Sequence, residues 1–123
     1  MESRKKAVKF TDLDAWQHAH TVVLAVYQKT KTWPKEEQFG LTSQIRRASV
    51  SVTSNIAEGF SRATKTDKSH FYTMAHGSLT ELQNQLIIAR DIGYLESDAF
   101  KEIADTTVIV HKLLTGLIKS LKD

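Results

Sequence analysis

The chain has no cysteine. That excludes disulfides, thiolate metal sites and cysteine nucleophiles, and it fits a reducing compartment, the cytoplasm. One proline and five glycines in 123 residues are too little turn punctuation for a β protein and favour long helices. No apolar run reaches the roughly 20 residues that span a bilayer, and the N-terminus lacks the apolar core of a signal peptide, so a soluble protein is expected.

What is present is one domain's length of chain, enough to bury a core without metal or disulfide support. Residues 1–10 carry Arg4, Lys5, Lys6 and Lys9 and read as a basic, disordered tail, leaving 11–123 as a single domain. Apolar residues at helical spacing predict four helices, about 12–31, 42–62, 67–92 and 98–121. The first carries the stripe Leu13, Trp16, Ala19, His20, Val23, Val26, Tyr27 and Thr30, with Trp16 as its core anchor. Thr11 with Asp14 is expected to open it as a capping box, and Trp33-Pro34 to close it. The third is expected to start at Thr66-Asp67, to bury Phe71, Met74, Ala75, Ser78, Leu79, Leu82, Leu86 and Ala89, and to end at Gly93. The fourth carries Phe100, Ile103, Ala104, Thr107, Val110, His111, Leu114, Ile118 and Leu121. Four such helices on short connections predict an all-α, antiparallel up-down-up-down four-helix bundle.

The most informative stretch is Gln44–Gly59. Wound at about 100° per residue, it gathers Leu41, Ile45, Ala48, Ser49, Val52, Ile56 and Gly59 into one arc and Arg47, Ser51, Ser54 and Glu58 into a polar row. Ser49–Thr53 alone also alternates like a strand, but that leaves Ile45, Ile56 and Ala57 without a role. Val50 and Ala57 lie off the core arc, and Ile87 lies off the stripe of the third helix. These three are the candidate oligomer interface. Gly59, at the edge of the core arc, and mid-helix Gly77 are both expected where another helix packs closely.

The order Leu-Asp-Ala-Trp-Gln-His-Ala (13–19), Trp33-Pro34, Phe39-Gly40-Leu41, Gln44-Ile45-Arg46-Arg47-Ala48, Ser54-Asn55-Ile56-Ala57-Glu58-Gly59 and Gly77-Ser78-Leu79-Thr80-Glu81-Leu82 resembles the four-helix-bundle proteins encoded in intervening sequences of bacterial 23S rRNA genes. The family is distantly similar to the accessory variability determinants of diversity-generating retroelements, which form pentamers and bind nucleic acid and a reverse transcriptase. The resemblance implies a bundle, a homopentamer and a nucleic-acid role with RNA favoured, and it does not imply an enzyme. An adaptor that docks an enzyme such as a reverse transcriptase is the alternative.

The Glu-x-x-His pairs of dinuclear metal bundles do not occur, and His18 and His20 point about 200° apart on a helix. Seven residues separate Arg62 from His70, too many for the Arg-x₄₋₆-His motif of helical HEPN-type ribonucleases. Glycine-rich phosphate loops and G-x-S-x-G elbows are missing too. No catalytic residue, cofactor or metal is therefore assigned. Residues 40–70 hold five Lys/Arg against two Asp/Glu. From these, Arg46, Arg47, Arg62, Lys65 and Lys68 are the candidate nucleic-acid-binding residues.

Overall fold

The structure, a computed structural model, describes residues 6–122, so residues 1–5 of the basic tail lie outside the described residues. A 3-10 turn at Phe10–Asp12 leads into α1 (Asp14–Thr30), and a second at Lys35–Glu37 precedes α2 (Leu41–Ser61). Then come α3 (Lys65–Asp91) and α4 (Ser97–Ser120), with no strand among the described residues.

Each helix packs on its chain neighbours, and α1 closes the ring against α4. The pairings run in opposite directions. Across α2 and α3, Lys68 meets Phe60, Gly59 faces Tyr72, and Ser51 bonds Ser78. Across α3 and α4, His76 meets Thr115 and Gln83 meets Thr107. The bundle is therefore antiparallel at both seams.

The ends are set locally. The Asp12 carboxylate accepts the Val8 and Lys9 N–H groups at 3.0 Å, which hold its pKa below the ordinary carboxylate value. This turn, with Leu13 as the residue before α1, replaces the expected Thr11–Asp14 box. Thr64, not Thr66, caps α3, its hydroxyl accepting the Asp67 N–H at 3.1 Å. Gly93, at φ 88°, closes α3 as expected, with Tyr94 N–H bonded back to the Ala89 carbonyl. Glu37 then clasps the two loops at that end: one carboxylate oxygen accepts the Leu41 N–H and the other accepts the Tyr94 hydroxyl at 2.9 Å. Trp33, buried, packs against the same tyrosine.

The core arc of α2 is as expected, with Leu41 half-buried and Thr42 buried beside it. That of α1 is rotated. Ala15, Ala19, Val22 and Val26 are buried, whereas Trp16 is half-buried between Phe10 and His20, and Tyr27 is exposed. Small side chains let the helices approach, and the large rings pack at the edge. In α3, Tyr72 is buried and Met74 exposed, because Tyr72 lies over Gly59.

A Cβ on Gly59 would stand 2.7 Å from Tyr72 Cε1, whereas nothing lies within 4 Å of one on Gly77. The close packing expected at Gly77 is thus absent within the chain and is found at Gly59. Gly59→Ala should cost about 1–3 kcal/mol through overpacking, and Gly77→Ala should gain about 0.5–1 kcal/mol. Denaturant unfolding of the two variants checks the contrast in sign.

Candidate nucleic-acid interface

The antiparallel order divides the charges unevenly along the bundle. The half containing the α2–α3 turn holds eight cations (Lys6, Lys9, Arg62, Lys65, Lys68, Lys112, Lys119, Lys122) against four acids (Asp12, Asp14, Glu58, Asp67). The other half has seven cations, Arg46 and Arg47 among them, against eight acids. All the net positive charge of the described residues therefore sits at one end.

Of the five candidate residues, three meet there. Arg62 lies along the outer α2–α3 seam: its Nη2 donates to Glu58 at 2.9 Å, and its guanidinium carbon stands 4.5 Å over the Phe71 ring. Lys68 folds back over Phe60 and donates to that residue's carbonyl at 2.6 Å, closing the end of α2. Lys65 is exposed and lines, with Thr66, Ser69, His70 and Lys122, an open groove of about 500 Å³ between the start of α3 and the end of α4. Lys65 and Lys122 thus face one groove from different helices.

Arg46 and Arg47 lie elsewhere. Arg46 is some 24 Å along α2 from Arg62, at 1.5 Å per residue. Its Nε donates to the Thr30 hydroxyl at 2.8 Å and its head sits 4.8 Å over Tyr27, tying α1 to α2. Arg47 is exposed on the outer face of the same half. Lys119 and Lys122, which look like ordinary C-terminal helix charges in the sequence, join the site only because the fourth helix returns to the α2–α3 turn.

The three interface candidates do not form one patch. Val50 and Ala57 follow Arg46 by four and eleven residues and so share its α1 side of α2. Ile87 follows Gln83 and His76 at the same two spacings, which puts it on the α4 side of α3. Leu24 and Val108 are exposed as well. Two apolar surfaces thus lie on opposite sides of the bundle.

Residues 11–116 match the family described as 23S rRNA-intervening sequence protein. The chain belongs to this family. This family member also shares its fold with a Bacteroides thetaiotaomicron structure, described as a protein with unknown function from the S23 ribosomal protein family. The TM-score is 0.78 at 20% identity, over 85% of this chain and 95% of the other. No curated protein matches the sequence.

Among the described residues no group of three or more His, Asp or Glu side chains could hold a metal, and no helix is long and apolar enough to cross a membrane. Ser49 donates to the Arg46 carbonyl and Ser51 pairs with Ser78, so neither hydroxyl is aimed at a base. The closest histidines, His76 and His111, meet edge-to-face at 4.6 Å, and His76 bonds the Thr115 hydroxyl. Burial, and then the His111 charge, hold His76 below its ordinary value of 6.5. A lowered histidine contributes stability that is complete above the unfolded value and is lost as pH falls through the folded one. Thermal midpoints should therefore decline below about pH 6.5. His76→Gln should flatten that decline in melts followed by circular dichroism.

Proposed function

We propose that this protein is a non-catalytic, homo-oligomeric nucleic-acid-binding bundle of the cytoplasm, with RNA as its preferred ligand. The observation that carries the reading is the collection, at one end, of all the net positive charge of the described residues, assembled from three separate parts of the chain. Lysines there neutralise phosphates without reading sequence. A ring multiplies a modest patch into an avid one. Apolar surfaces on opposite sides suit head-to-tail contacts, which close into rings, and we take the ring to be the pentamer that the resemblance implies.

A second reading has its own support. Phe39, 91% exposed, is presented at the opposite, charge-balanced end by the loop that Glu37 clasps, as an anchor for a protein partner would be. In that reading the ring is an adaptor that docks an enzyme such as a reverse transcriptase.

Binding of labelled RNA, followed by fluorescence anisotropy between roughly 50 and 200 mM salt, separates the two. The first reading expects affinity to fall steeply with salt, and Lys65→Glu with Lys122→Glu to weaken binding at least tenfold at the lower salt and to flatten the slope. Binding indifferent to salt, or unchanged in the double variant, contradicts it. Light scattering should give a multiple of the 13.9 kDa chain mass, and Val50→Glu should lower that mass while leaving helical content intact. A wild-type monomer at micromolar concentration contradicts the ring.

A further inference from the structure

The α2–α3 turn is bracketed by Phe60 and Phe71, and each ring carries a cation from across the turn, Lys68 and Arg62. Among the described residues Arg46 over Tyr27 and Arg90 over Phe100 make the same kind of contact singly; here two share one short turn. The two cations differ. Lys68 is half-buried and bonded to a backbone carbonyl, while the Arg62 side chain remains 44% exposed.

Arg62 is poorly suited to phosphate. Glu58 already compensates its charge at 2.9 Å, and that carboxylate repels an incoming anion. A nucleobase is neutral and meets no such repulsion. With Phe71 beneath the guanidinium and Glu58 holding one edge, the head group is fixed before any ligand arrives, so little rotamer entropy remains to be lost. Guanidinium planes are established surfaces for unstacked bases.

We infer that Arg62, backed by Phe71 and held by Glu58, is a stacking platform for an unpaired base, and that the ligand is single-stranded or looped nucleic acid. The assignment rests on the nucleic-acid reading above. Phosphates of the same strand meet Lys65 and Lys122 in the groove on the other side of the start of α3. Bases inside a duplex are stacked on their neighbours and cannot use the platform.

The test compares three RNA probes by fluorescence anisotropy at low salt: a short single strand, the same strand with abasic sugars, and a blunt duplex. Wild-type protein should bind the intact strand about tenfold more tightly than the abasic one, the usual worth of one stacked base. Arg62→Lys retains the charge and loses the plane, and should bring the two within about twofold while leaving duplex binding unchanged. Phe71→Leu removes the backing ring and should do the same, with melting curves reporting that both variants fold. Lys65→Glu should weaken all probes alike. If Arg62→Lys leaves the intact-to-abasic ratio at its wild-type value, or salt-dependent binding by wild type is indifferent to the bases, the platform is overturned and the nucleic-acid reading stands. If wild type shows no salt-dependent binding of any probe, both fall.

Discussion

The close approach of α2 to α3 at Gly59 is the constraint on which the rest of the structure depends. The Tyr72 ring occupies the space that a side chain at 59 would need, which lets Phe71 and Tyr72 settle against the last turn of α2. A connection of only Arg62, Ala63 and Thr64 can then reverse the chain, since it has no length to run back along a helix of about 30 Å. The Thr64 cap and the Lys68 bond to the Phe60 carbonyl close the two helix ends that meet there.

The electrostatics follow from the topology. An antiparallel bundle returns the end of the fourth helix to the turn between the second and third, so Lys122 lines one groove with Lys65 although more than fifty residues separate them in the chain, and Lys119 lies at the same end. At the opposite end cations and acids balance, and the Glu37–Tyr94 bond joins the other two loops. That bond also raises the Tyr94 pKa above its ordinary value, because the phenol donates to a carboxylate. One end of the molecule is thus basic and the other is a clasped, nearly neutral surface that exposes Phe39.

Much of this was legible in the sequence. The α2 arc was readable because small and branched apolar residues fall on one side and charges on the other. The α1 stripe was read about a residue out of phase, since the size of Trp16 and Tyr27 suggested the core, while the seam selects Ala15, Ala19 and Val22. Tyr72 and Met74 exchange their expected places because a glycine on another helix, invisible to periodicity, makes room for the tyrosine. The basic end was half legible: Arg62, Lys65 and Lys68 are local to one turn, Arg46 and Arg47 belong to the same basic stretch of sequence but lie in the other half of the bundle, and Lys112, Lys119 and Lys122 needed the fold. The three apolar interface positions were each visible as off-stripe residues, but their separation onto opposite sides depends on which neighbour each helix faces.

Whether one end of this bundle is the nucleic-acid surface can be read by mapping photo-crosslinks from thiouridine-substituted single-stranded RNA with mass spectrometry. Crosslinked peptides should come from the start of α1, the turn between Arg62 and His70, and the end of α4. Crosslinks concentrated instead around Lys35, Arg46 and Arg90, or spread evenly over both ends, would contradict that placement.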